Sequence, residues 1–280
     1  MALKTVVITG CSTGFGRVTA LFVAERGWQV IATVRQAAHR AELLADAAAR
    51  GQADRLIPLI CDITRPADVD HLAQAVAHYG PTLDGLVNNA GAAFPGPLEL
   101  QPLADVRAQL EVNLFGQLAV TQALLPALKD GHGTIVNVSS IGGRITFPTH
   151  GLYHLSKFAL EAMSDALRLE LAHFGVKVVI VAPGASPTAI WETSLGRAHA
   201  KSADLGAYAP LTAAVERYAR QTAAHGFPPE RFARAVWGIL NQRRPAAHYY
   251  VPRSAGLIVA ARRLLPHWLW DRAARLVLRW

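Results

Sequence analysis

Two cysteines in 280 residues, Cys11 and Cys61, are too few for a disulfide framework. The chain must therefore be held by a buried core, and free thiols fit a reducing compartment. Charge is scarce too: charged residues make up 17% against 51% hydrophobic ones, a balance that excludes a disordered chain and supports one large core. No Pro/Gly/Ser-rich linker, low-complexity tract or internal repeat interrupts the sequence, so a single domain over 1–280 is expected, of a size that α/β folds reach undivided. Long apolar runs are missing as well. The longest uncharged stretch, Val112 to Leu128, carries Asn113, two glutamines and Pro126, which suits a buried helix better than a membrane span. The opening MALKTVVITG has an apolar segment too short for a secretory signal; it reads as a first strand, and a cytoplasmic protein is the expectation. Acidic residues are the minority and the net charge is +8. Lysines and arginines are nevertheless spread along the chain, apart from a C-terminal cluster, which argues against nucleic acid and for a small polyanionic partner.

What is present begins with a phosphate-site pattern. Thr5 to Thr9 is an apolar, β-branched strand feeding Gly10, Cys11, Ser12, Thr13, Gly14, Phe15 and Gly16, before a helical pattern to Arg26. A strand, a glycine turn and a helix start make an anion site, because helix N-terminal N–H groups point outward and glycine lets a phosphate approach. A second strand, Gln29 to Thr33, ends in Val34 and Arg35. A carboxylate at such a strand end binds the ribose 2'-hydroxyl of NAD, whereas an arginine accepts a 2'-phosphate. Helical patterns over His39–Arg50, from Pro66, over Leu103–Leu128, Tyr153–Phe174 and Pro229–Leu240 alternate with strands at Arg55–Cys61, Leu83–Val87, from Thr134, at Val176–Ala182 and at His248–Val251. That alternation predicts an α/β fold of Rossmann type, a doubly wound parallel sheet with helices on both faces.

The stretch TIVNVSSIGGRITFPTHGLYHLSK, Thr134 to Lys157, joins a strand to a helix and puts Ser140 just past the strand and Tyr153 near the helix start. Tyr153 and Lys157, four apart, share a helix face, where an ammonium can favour the ionised form of a phenol that otherwise titrates near 10. His150 and His154 are also four apart, but no third ligand accompanies them, so no metal is expected.

Ser140, Tyr153 and Lys157 at this spacing, the Thr-Gly-x-x-x-Gly-x-Gly loop and the run Asn88–Gly91 together resemble the short-chain dehydrogenase/reductase family, from about Lys4 to Thr188, and within it the hydroxysteroid and retinol dehydrogenase branch. The resemblance implies that Tyr153 exchanges the proton with a carbonyl or alcohol, Ser140 holds its oxygen, and Lys157 lowers the tyrosine pKa and bonds the nicotinamide ribose. Asn113 would hold a water leading protons to Lys157; its alternative is a satisfied buried amide. The resemblance also implies that Asp62 bonds the adenine amino group, with Ile63 against the ring; an N-cap for the helix from Pro66 is the other role open to Asp62. Asn89, Ala90 and Gly91 would steady the sheet beside the cofactor, while Pro183 and Gly184 would open a cofactor-binding loop in which Thr188 contacts the nicotinamide carboxamide, with Pro187 departing modestly from the family pattern. Ser12 and Arg35 resemble the NADP(H)-preferring members, so NADP(H) is expected over NAD(H); an ordinary solvated Arg35 is the alternative.

These features imply an oxidoreductase acting on a hydrophobic secondary alcohol or carbonyl, steroid-, retinoid- or aromatic-ketone-like. The rival reading is a catalytically idle NADP(H)-binding sensor or scaffold. A segment over about 186–228 would cover the substrate, and a homodimer or homotetramer is expected from the apolar faces of the helices starting at Leu103 and Tyr153. Gly256 to Trp280 alternates apolar residues with five arginines against one aspartate, divided by Pro266. Such a pattern suits either docking on the body or on a partner subunit, or peripheral contact with an anionic membrane surface.

Overall fold

A computed structural model describes residues 3–187 and 205–279. Seven strands form one sheet in the order β3-β2-β1-β4-β5-β6-β7: β1 Thr5–Ile8, β2 Gln29–Val34, β3 Leu56–Ile60, β4 Gly85–Asn88, β5 Thr134–Val138, β6 Lys177–Pro183 and β7 His248–Val251. Every pairing is parallel, with Val7 opposite Ile31 on one side and Leu86 on the other. Parallel strands need crossovers that cover both faces, and this is why they read as continuous apolar runs. Val6 and Ile8 face a core built with α1 (Gly14–Ala24), α2 (Ala37–Ala49) and a later helix over Pro229–Leu240. Val7 faces the opposite core, shared with α3 (Pro66–Tyr79) and the helices that follow β4 and β5. The order of strands reverses between β1 and β4, the switch point at which open α/β sheets bind ligands.

The long helix expected over Leu103–Leu128 is broken. It consists of α4 (Leu103–Leu110), a π-helical turn over Glu111–Phe115 and α5 (Gly116–Asp130). The π turn is centred on Asn113, a residue whose amide competes for backbone bonds, and such turns concentrate at functional sites. Helix α6 runs Gly151–Leu171, so it opens two residues before Tyr153, after a 3-10 turn over Ile141–Gly143 that follows Ser140.

Beyond β6 come α7 (Ala209–Ala224), α8 (Pro229–Leu240), β7, α9 (Ala255–Leu264) and α10 (His267–Leu278). The loop after β6 is clasped to the chain before α8, since Ser186 Oγ donates to the Phe227 carbonyl at 2.7 Å. Pro266 separates α9 from α10 and stands as the N-cap of the latter, as the sequence pattern predicts. Thr188, and much of the expected substrate-covering segment, lies outside the described residues.

Candidate active site

At the carboxyl end of β1, Gly10 (φ +70°) and Gly14 (φ +57°) adopt backbone conformations that favour glycine. A Cβ at Gly16 would collide with the Gly10 carbonyl and stand 2.5 Å from Asn89 Nδ2, so the turn closes only without side chains there. Helix α1 then starts with Thr13 as N-cap, with no side-chain cap and no acid in its first turn. A helix N-terminus keeps N–H groups without intrahelical acceptors and a partial positive charge. This cradle fits a cofactor pyrophosphate on its own geometry. The ring of Phe15 turns away and stacks on Phe232 at 4.2 Å and on Phe227 at 5.7 Å, so Phe15 joins the loop through its backbone.

The loop is fixed from below by the run that starts in β4. Asn89 Nδ2 donates to the Thr9 carbonyl at 2.8 Å and to the Gly10 carbonyl at 3.1 Å, while Thr9 Oγ1 accepts from the N–H groups of Asn89 and Ala90. Asn88 reaches the other way, donating to Asn137 Oδ1 and Thr121 Oγ1, and Asn137 in turn donates to Ser164 Oγ on α6. One buried amide chain thus ties β4, β5, α5 and α6 together. The links run at 2.8 to 2.9 Å, with Asn88 Oδ1 the one member of this chain left without a partner among the described residues, and directional bonds of this kind hold the four elements in one arrangement.

Beside the cradle Arg35 is exposed at the end of β2, and Ser12 is half-buried in the glycine turn. Asp62 follows β3. Its Oδ1 accepts from Thr64 N at 3.0 Å and from Thr64 Oγ1 at 2.8 Å, and the residue that caps α3 is Arg65, so Asp62 closes its own turn and is not the helix cap. Burial works to raise its pKa, but the two Thr64 hydrogen bonds with Arg35 and Arg65 outweigh it and hold the carboxyl below its usual range. The influence of Arg35 on Asp62 places the two residues in one neighbourhood. Ile63 is buried against Gly116 of α5 as part of the core.

Ser140, Tyr153 and Lys157 meet at the mouth of the sheet. Ser140 Oγ accepts from Gly142 N at 3.0 Å and faces the Tyr153 phenol closely enough to act on its pKa. Lys157 is buried, its Nζ donating to the Val138 carbonyl at 2.8 Å and lying 5.8 Å from the centre of the Tyr153 ring. Burial pushes the phenol pKa up and the Ser140 hydroxyl pulls it partly back. The net direction at Tyr153 is the reverse of the expected lowering, because burial dominates; Lys157 is turned to a carbonyl, and burial drives its own pKa down to about 8, against the opposing pull of Glu161. A raised phenol pKa keeps Tyr153 protonated at neutral pH, as a proton donor requires.

Asn113 is fully buried. Its Oδ1 accepts from Ala92 N at 2.8 Å, and its Nδ2 donates to the Ala92 carbonyl at 2.9 Å and to Ser156 Oγ at 3.0 Å. Both amide donors are used, so the side chain is a satisfied clasp between the Asn-Asn-Ala-Gly run and α6; a water there has only the second lone pair of Oδ1 to meet. Gly91 is the residue beside it: a Cβ there would stand 3.4 Å from Asn113 Oδ1 and 4.0 Å from Lys157 Nζ. Pro183 closes β6, and Gly184 N donates to the Val251 carbonyl at 2.8 Å, which holds that loop to the end of β7.

Two further residues shape the site and were not singled out for it from the sequence. His154 lies with Nδ1 2.9 Å from the Gly142 carbonyl and accepts the Phe147 N–H on Nε2 at 3.0 Å. A neutral ring with its proton on Nδ1 satisfies both, so its spacing from His150 reflects a loop brace; no three-residue metal cluster exists among the described residues. Glu161 stands one further turn along α6 from Lys157, and its Oε2 accepts from Arg144 Nε at 2.6 Å and from His248 Nε2 at 2.8 Å. It pins the Ser140 loop to α6 and to β7. The row Tyr153, Lys157, Glu161, each four apart, was a visible signal for it. The two thiols lie outside this chemistry: Cys11 and Cys61 are buried and free, and burial raises both pKa values, that of Cys61 to about 12.

Comparison with known proteins agrees with this geometry. The family model described as short chain dehydrogenase matches residues 4–198. The uncharacterized oxidoreductase YusZ of Bacillus subtilis is 34% identical over 273 residues, 97% of each chain. Human retinol dehydrogenase 5 is 41% identical over 182 residues, 64% of this chain and 55% of that protein. Among solved structures, a short-chain dehydrogenase from Streptomyces avermitilis superposes with a TM-score of 0.75 at 28% identity over 98% of both chains. Another from Burkholderia phymatum, in complex with NAD, reaches 0.81 at 24% identity over 93% of both, a likeness of fold.

Proposed function

Because the chain belongs to the short-chain dehydrogenase/reductase family, oxidoreductases that use a nicotinamide cofactor, we propose that it oxidises a hydrophobic secondary alcohol, or forms one from the carbonyl, with NADP(H) in preference to NAD(H). The observation that carries the reading is that Ser140, Tyr153 and buried Lys157 meet at the carboxyl end of the sheet, the end that also holds the glycine cradle. A bound nicotinamide supplies or accepts the hydride. In the reducing direction Tyr153 gives its Oη proton to the substrate oxygen, and Ser140 Oγ donates a hydrogen bond that holds the same oxygen as charge develops on it. Lys157 stands at the inner side of the phenol, where its ammonium favours the phenolate left behind once that charge exists. An idle binding protein would have no need to retain all of these groups in reach of one another.

The NADP(H) preference is supported by exposed Arg35 at the end of β2, with buried Val34 where NAD enzymes carry an acid. The substrate class is supported by the similarity to retinol dehydrogenases and by the aromatic side chains of Phe147, Tyr218 and Trp270, which lie ring to ring near the Ser140 loop. A homodimer or homotetramer is supported by the apolar side chains left exposed on the α4–α5 segment and on α6, among them Phe115, Phe158 and Leu169.

The test is a spectrophotometric screen of NADPH oxidation and NADP reduction over steroids, retinoids, aromatic ketones and small alcohols. The expected result is turnover on lipophilic members, a higher kcat/KM for NADPH than for NADH, and loss of most of that gap in Arg35→Ala. Equal use of both cofactors by the wild type would show that Arg35 is merely solvated.

A further inference from the structure

Helices α9 and α10 each turn one face inward and another outward. On α9, Ala255 and Val259 are buried, while the opposite face carries Leu257 and Leu264, exposed by 71% and 84%. On α10 the row Trp270, Ala274, Leu278 faces the body: Leu278 packs with Leu211 and Val215 of α7, and the Trp270 ring stands 6.2 Å from Phe147. The outward row of α10 is Trp268, Arg272, Leu276, with Trp268 66% and Leu276 71% exposed. So the tail docks on the body by one face, and docking leaves the second face apolar and open.

We propose that this outer face is a docking surface for an anionic lipid bilayer. Charge decides between occupants. Arg263, Arg272, Arg275 and Arg279 are exposed around the apolar row and form no ion pair among the described residues. Asp271 is the tail's single acidic residue. A two-fold contact with a second copy would set this patch against itself and face arginine with arginine. A nucleic acid would match the charge but leave the leucines in water. Aliphatic side chains and a tryptophan ringed by arginines, on two short helices lying along a surface, match the boundary between acyl chains and anionic headgroups, where arginine stems cover apolar surface and their heads stay wet. No helix among the described residues is long and apolar enough to cross a membrane, so contact is with the surface.

The inner face gives this docking a consequence. Trp270 touches Phe147, Phe147 lies 6.1 Å from Tyr218, and the Phe147 N–H is held by His154, the neighbour of Tyr153. A bilayer under the outer face would thus sit against the same two helices that cover the aromatic side of the site. That a lipophilic substrate enters from the bilayer rests on the proposed function. Vesicle binding is measured without substrate or cofactor, so the two readings fail separately.

The experiment is co-sedimentation of the full chain with phosphatidylcholine vesicles, with and without phosphatidylglycerol. Binding is expected to the anionic vesicles at low salt, to weaken at high salt, and to be absent with phosphatidylcholine alone. Each of Arg263→Gln, Arg272→Gln and Arg275→Gln should lower the affinity about fivefold. The set Leu257→Ser, Leu264→Ser, Trp268→Ser and Leu276→Ser should abolish binding while melting as the wild type does. If that set fails to fold, brominated acyl chains give a second reading: they should quench tryptophan emission of the wild type and quench Trp268→Phe markedly less. The proposal is overturned if the wild type stays in the supernatant with anionic vesicles at low salt, if the serine set binds undiminished, or if quenching is unchanged in Trp268→Phe. It is equally overturned if the serine set splits a wild-type oligomer in sedimentation velocity, which would make the face a subunit interface.

Discussion

The mouth of the sheet and the α7–α9–α10 flank hold their side chains by different physics. At the mouth, Asn88, Asn113, Asn137 and Lys157 are buried polar groups, each positioned by hydrogen bonds between 2.8 and 3.0 Å long. On the flank the joints are apolar: Leu278 between Leu211 and Val215, and Trp270 against Phe147. A directional network tolerates one arrangement, because a lost partner leaves an unpaired group in low dielectric. Apolar packing accepts many side chains of about the right size. The candidate chemistry is therefore placed where geometry is over-determined, and the flank is where side chains can vary.

If that contrast is right, removing a polar brace at the mouth should be costly even away from the reacting atoms. Glu161→Ala leaves Arg144 and His248 without their shared carboxylate and should lower unfolding stability by about 3 kcal/mol in denaturant titration. Glu161→Gln sharpens the point. The Glu161 charge raises the pKa of Lys157, so its neutralisation lowers that pKa, and the fall in kcat at high pH, where Lys157 loses its charge, should move to lower pH. An unmoved limb would mean that Glu161 acts on structure alone. Ser140→Ala should then reduce kcat about 100-fold, the scale of one lost bond to a developing oxyanion.

The smallest of these effects concerns acid. Burial, with a lesser push from His150, lowers the pKa of His154 to about 4 against the opposing pull of the Gly142 carbonyl. The unfolded state binds a proton near 6.5 and the folded state does not until about 4. Its share of stability is thus present above 6.5 and is lost as pH falls toward 4, at up to about 1.4 kcal/mol per pH unit. In His154→Gln that share of the slope should disappear from the stability–pH curve between those limits.

The same contrast explains what the sequence made legible. Strand runs such as Thr5–Thr9, the glycine cradle and the Ser140, Tyr153, Lys157 spacing are local patterns, and the fold keeps them where those patterns put them. What failed were properties set by contacts far apart in sequence. The break in the helix at Asn113 depends on Ala92 and Ser156. The direction of the Tyr153 shift depends on burial, which no spacing rule reports. On the tail, helical periodicity identified two faces, but only the packing of Leu278 and Trp270 says which is inward.

The central claim, that Tyr153 is the proton donor of a site built to hold it, is tested most directly by Tyr153→Phe assayed for turnover and NADPH binding in the same preparation. The account predicts that turnover of a substrate found in the screen disappears while NADPH affinity, read by fluorescence titration, stays within a few-fold of the wild type. Turnover near the wild-type rate in that variant would contradict it.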